Sequence, residues 1–159
     1  MSPKSMVLIA VSLVVALPPL SLALLGFWSR RISPSDPDPG RPALAPCPAS
    51  PNCISSLPGP GRPALPPLRY EGPAGAARRR LVAILQEMPR TRIVADAGPY
   101  LRATFQSRFF GFVDDVEFLL DEQAGRIDFR SASRVGYSDF GANRRRMEEI
   151  HRRFAAGAT

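Results

Sequence analysis

From Met6 to Trp28 the chain runs for 23 residues without a charge, and nearly every side chain is apolar. About 20 such residues, coiled as a helix, cross the hydrocarbon core of a bilayer. A buried helix of a soluble domain is disfavoured, because the stretch has no polar face. Phe27 and Trp28, followed by Arg30 and Arg31, stand in the order of an aromatic belt and its cationic anchor. Pro18 and Pro19 are expected to break the helix locally, which a membrane span tolerates better than a soluble helix does. A second reading stays open. Lys4, the apolar run to Leu17 and the small-x-small triplet Ser21-Leu22-Ala23 also have the layout of a secretory signal and its cleavage site. On either reading residues 1–32 stand apart from the folded domain; where they are retained, a membrane is the expected partner through residues 6–28.

Residues 33–67 hold 12 of the 18 prolines, interspersed with Gly, Ser and Asp. Such a stretch is expected to form neither helix nor ladder and to act as a stiff, extended spacer. It contains the only two cysteines, Cys47 and Cys53, with five residues between them in Cys-Pro-Ala-Ser-Pro-Asn-Cys. They are a candidate disulfide, a bond that favours an oxidising compartment. Closing so short a ring stabilises the fold by at most about 2.4 kcal/mol. Free structural thiols remain an alternative, as does a nucleophilic Cys53, which has no neighbouring base in the sequence. A zinc site is not expected, because the spacing is wrong and His151 is the one histidine. No other metal and no cofactor is implied. The arginines after the apolar run favour a cytoplasmic domain by the positive-inside bias. The cysteine pair argues the other way, for a domain at the cell membrane on its extracytoplasmic, periplasmic side.

Residues 68–156 read as one α+β domain. Between Pro73 and Pro89, Ala77, Leu81, Ile84, Leu85 and Met88 recur at helical spacing. The period then drops to two. Arg92 to Ala95 is a short strand candidate; Leu101, Ala103 and Phe105 alternate with polar residues, as do Val116 and Phe118, and then Ile127 and Phe129. Turn residues separate them at Gly98-Pro99, Gly111 and Gly125. Pairing Leu120 with Ile127 sets Glu117 opposite Arg130, an ordinary cross-strand pair. A last helix from Ala142 to Phe154 turns Met147, Ile150 and Phe154 inward, and its arginines and glutamates fall into i,i+4 pairs. The expected architecture is a two-layer sandwich: a four-stranded antiparallel meander flanked by an N-terminal and a C-terminal helix.

Polar residues interrupt the inward pattern at one end. Ile127 and Phe129 are continued by alternation to Ser131 and Ser133, and the inward helical stripe extends back to Asn143. These groups satisfy one another or cap the helix through Ser138 and Asp139, or they line a pocket. Asp114 and Asp115 fall on opposite faces of a strand, which argues against a paired acid–base couple. Phe109, Phe110 and Phe112 crowd one turn beside Arg108, where the ordinary role is a lid on the core; exposed, they would suit a membrane surface or a partner protein.

Three blocks then stand out in order: Cys47 to Ser56, Asp114 to Phe118, and Arg130 to Arg146. Together they resemble domain-of-unknown-function family 1499 over roughly residues 46–154. The resemblance implies an N-terminal apolar segment in many members and no established activity. It marks Ser50, Pro51, Asn52, Cys53, Ser55, Ser56, Asp114, Glu117, Phe118, Arg130, Ser131, Ser133, Arg134, Gly136, Asp139, Gly141, Asn143 and Arg144 as motif positions without assigning roles.

The net charge of +7 does not point to nucleic acid. From Arg69 to Phe154, 16 arginines stand against 12 acids, interleaved and without a stripe of stacking aromatics. The favoured expectation is a membrane-tethered, non-catalytic binding or accessory module. Its candidate binding residues are Asn52, Arg130, Ser131, Ser133, Arg134, Asp139, Asn143 and Arg144, and its expected partner is an anionic small molecule or a membrane protein. The alternatives are a thiol-dependent enzyme using Cys53 and an assembly protein using the loop aromatics.

Overall fold

The computed structural model describes residues 3–32, 43–59 and 65–157, apart from the side chains of 7–11 and 13. In chain order the elements are α1 (Pro3–Arg31), β1 (Cys53–Ser55), β2 (Leu68–Arg69), α2 (Ala74–Glu87), β3 (Thr91–Ala97), β4 (Tyr100–Gln106), β5 (Val113–Asp121), β6 (Arg126–Ser133) and α3 (Ala142–Ala156). All strand pairings are antiparallel, in the order β1-β6-β5-β4-β3, with β2 also on β6.

The meander β3 to β6 follows the alternation in the sequence, and its central register sets Leu120 opposite Ile127 and Glu117 opposite Arg130. The expectation of four strands is corrected to six. Cys53, Ile54 and Ser55 pair with Ala132, Ser131 and Arg130, and Leu68 and Arg69 pair with Ile127 and Arg126. Both additions lie in or beside the stretch expected to be a spacer. Cys53 to Ser56 carries no proline, so its amides are free to enter a ladder. The folded unit therefore begins before residue 68. The rest of the expected spacer, residues 33–42 and 60–64, lies outside the described residues.

Helices α2 and α3 cover one face of the sheet. Leu81, Leu85, Met147 and Ile150 pack with Leu101, Val116, Phe118, Ile127 and Phe129 in a single core. His151 belongs to this packing. Its ring nitrogens lie 2.7 Å from the Met147 carbonyl and 2.6 Å from that of Pro66, and the ring meets Phe129 edge-on.

Helix α1 runs unbroken through Pro18 and Pro19, contrary to the expected local break. Those prolines leave the carbonyls of residues 14 and 15 without their usual amide donors, and the helix persists across the gap. Among the described residues no helix is long and apolar enough to cross a membrane. The side chains of 7–11 and 13, on which much of the apolar run depends, lie outside that description. The C-terminal turn of α1 rests on the domain: Ser29 is fully buried there.

Candidate functional site

Asn143 sits in the first turn of α3 and is 1% exposed. Its position on the inward stripe, one turn before Met147, aims a primary amide at the polar end of β6. Burial of that amide without partners costs about 1–3 kcal/mol; here every polar atom is engaged. Its Nδ2 donates to the Asn52 carbonyl at 3.0 Å, to Ser133 Oγ at 3.1 Å and to Asp139 Oδ2 at 2.8 Å. Its Oδ1 accepts from Ser131 Oγ at 2.5 Å and from Arg146 Nη1 at 2.6 Å. Asp139 closes the helix start, accepting from the amides of Gly141 at 3.0 Å and Asn143 at 2.7 Å. Ser138 Oγ accepts from the Phe140 amide at 3.2 Å. Gly141 has φ of +78°, a conformation that a β-carbon would strain, and it turns the chain into α3.

Cys47 and Cys53 form a disulfide. The enclosed loop is pinned to the rest of the end: Ser50 Oγ donates to Asn52 Oδ1 at 2.7 Å, and Asn52 Nδ2 donates to the Gly136 carbonyl at 2.5 Å. Between this loop and the first turn of α3 lies a cavity of about 740 Å³. Leu44, Ile54, Leu57 and several prolines give it apolar walls, while Asp139, Asn143 and Arg144 supply its polar side.

The eight candidate residues thus divide. Asn52, Ser131, Ser133, Asp139 and Asn143 form one connected network, and Asp139, Asn143 and Arg144 border the cavity. Arg130 and Arg134 are not brought to it. Alternation along β6 places Arg130 on the other face, where it donates to Glu117 Oε2 at 2.8 Å; Tyr100 Oη donates to Glu117 Oε1 at 2.8 Å. Arg134 grips Asp115 through Nε and Nη2, at 2.6 and 2.9 Å. Its Nη1 donates to the carbonyls of Ser29, at 3.4 Å, and of Ile32 at the end of α1. The expectation that these two arginines would present charge to the same ligand as Asn143 is therefore corrected. Each is spent on a carboxylate across the sheet.

Arg146 was not singled out by its sequence context. It donates to Asp114 Oδ2 at 2.6 Å and lies over the Phe105 ring at 4.5 Å. The signal was present: Arg146 follows Asn143 by three and precedes Ile150 by four, so it belongs to the inward side of α3. The turn aromatics also depart from expectation. Phe110 and Phe112 pack edge-on at 6.3 Å, but Phe109 is exposed rather than part of a lid.

These features define a small mixed α+β domain with a six-stranded antiparallel sheet and a disulfide-closed cleft at one end. Residues 43–154 match the model of the family described as Protein of unknown function (DUF1499). The chain belongs to that family. No curated protein and no solved structure matches it.

Proposed function

We propose that the protein is a membrane-tethered, non-catalytic binding module whose ligand enters the cavity between the Cys47–Cys53 loop and α3. The cavity carries this reading. Its volume falls in the range of small-molecule pockets, with mostly apolar walls and a few polar groups gathered on one side. That distribution favours an amphiphile: an apolar body against Leu44, Ile54 and Leu57, and an anionic or strongly polar head toward Arg144. Both sulfurs are joined to each other, which supports binding over thiol chemistry, since a disulfide sulfur has no thiolate with which to attack. The same bond supports an extracytoplasmic position for the domain, with residues 6–28 as the tether.

The test is mass spectrometry on full-length protein isolated from the membrane fraction without reductant. The expected product retains residues 1–32, is two hydrogens lighter than the reduced chain, and under native conditions carries a small amphiphile. Two variants, Leu57→Trp and Arg144→Glu, alter the lining of the cavity, and both are expected to lose the bound mass. A chain that carries nothing, or a Leu57→Trp protein that keeps its passenger, would defeat the assignment.

A further inference from the structure

Three segments of the chain meet at Val113. Ser29 Oγ, from the last turn of α1, accepts from the Val113 amide at 2.8 Å and donates to its carbonyl at 3.3 Å. The Arg134 amide, where the chain leaves β6, donates to the same carbonyl at 3.1 Å. The loop from β4 to β5 ends on this residue. One turn earlier in α1, Gly26 lies so close to Phe110 that an added β-carbon would collide with the Phe110 carbonyl oxygen. The end of the apolar helix is therefore fixed beside the β4–β5 loop and the β6–α3 loop.

Those two loops carry the most exposed large hydrophobic side chains among the described residues: Phe109 at 85%, Tyr137 at 76% and Phe140 at 88%. Phe140 is informative because its φ is +52°. A bulky side chain is strained in that region, where glycine or asparagine is the ordinary choice. Its ring buries nothing, so the fold neither needs it nor benefits from it. Charge at this end is matched on the acidic side and exposed on the basic side. Asp114 is held by Arg146, Asp115 by Arg134 and Asp139 by the amides that open α3. Arg30, Arg31, Arg108 and Arg145 are exposed, and Arg108 lies over the Phe109 ring at 5.7 Å. The opposite end of the sheet bears turns at residues 98–99 and 122–125, where Asp121 and Glu122 stand beside Arg69 and Arg126, and it has no exposed aromatic ring among the described residues.

We propose that this end of the domain lies against an anionic bilayer surface, with Phe109, Tyr137 and Phe140 at headgroup level and the arginines against lipid phosphates. The inference rests on the tether reading above, because a bilayer that holds α1 stands next to the loops packed on its end. Aromatic rings and arginines are the residue types that favour that boundary, and the exposed positive charge complements anionic lipid.

The experiment uses the full chain reconstituted in phosphatidylcholine vesicles, with and without phosphatidylglycerol. In a Trp28→Phe background, a single tryptophan is placed by Phe109→Trp, Phe140→Trp or, as a control on β3, Val94→Trp. Lipids brominated in their acyl chains are expected to quench the two loop probes several-fold more than the control, and more so with anionic lipid. Phe140→Gly is expected to leave the melting temperature unchanged or higher while weakening the quenching at position 109. Loop probes no more quenched than position 94, in vesicles that retain the protein after an alkaline carbonate wash, overturn the docked face and leave the tether standing. Release of the chain by that wash overturns both. Oligomers lost in Phe109→Ser, with the loop probes unquenched, assign the patch to a second copy and also overturn the proposal.

Discussion

Asp114 and Asp115 are neighbours in β5, point to opposite faces of the sheet, and each meets one arginine at 2.6 Å. The two pairs nevertheless hold different parts of the molecule. Asp114 with Arg146 joins the sheet to α3 and, through Asn143, to the disulfide loop. Asp115 with Arg134 joins the sheet to the end of α1. The alternation of a strand thus lets two consecutive residues anchor two separate attachments, the cavity wall on one side and the apolar helix on the other. The lesson is that an acidic pair in sequence is no indication of paired carboxylates in space.

The largest expected effects come from removing either arginine. Arg146→Met and Arg134→Ala each leave a nearly buried carboxylate unmatched, and each is expected to cost about 3–5 kcal/mol of unfolding free energy in urea. Hydrogen exchange separates them. Arg146→Met should expose the start of α3 and residues 47–53, while Arg134→Ala should expose the last turn of α1. The same footprint from both would show that the two attachments are one cooperative unit.

A smaller loss is expected at Asn143. Asn143→Leu keeps the branched outline of the side chain but withdraws partners from Ser131, Ser133, Asp139 and the Asn52 carbonyl, for about 1–3 kcal/mol. Because Arg146 retains Asp114, the loss should fall below that of Arg146→Met in the same titration. Opening the Cys47–Cys53 ring comes next. A Cys47→Ser, Cys53→Ser double variant should lose at most about 2.4 kcal/mol, and less where prolines 48 and 51 already restrict the unfolded loop. Its exchange footprint should stay on the α3 side of the comparison.

The contrast between the faces was partly legible in the sequence. Period-two alternation fixed the direction of Asp114, Asp115, Glu117 and Arg130, and the helical stripe fixed Asn143, because backbone geometry alone decides which way a side chain points. The positions of β1 and β2 were not legible. Two or three residues in or beside a proline-rich stretch carry no periodicity, and their pairing depends on an edge of β6 that forms only in the folded sheet. Arg146 was hidden for a different reason: within Arg144-Arg145-Arg146 composition says solvent, and only its place three residues after Asn143 says otherwise. The attachment of α1 depends on Gly26 and Ser29, small residues whose role appears only when another backbone lies against them.

Arg130 gives the mildest and most discriminating comparison. Its pair with Glu117 is as short as many buried ones, 2.8 Å, and both side chains are mostly covered, at 15% and 10% exposure. Yet Glu117 does not depend on it, since Tyr100 Oη donates to the other carboxylate oxygen and Arg102 stands directly opposite on β4. Arg130→Ala is therefore expected to cost only about 1 kcal/mol, the size of an ordinary cross-strand pair. Adding Tyr100→Phe should make the loss greater than the sum of the single changes, because Glu117 then has neither hydrogen bond. Strict additivity, or a loss at Arg130 equal to that at Arg134, would mean that the outer face is a uniform charged layer in which Asp115 has no special hold on α1.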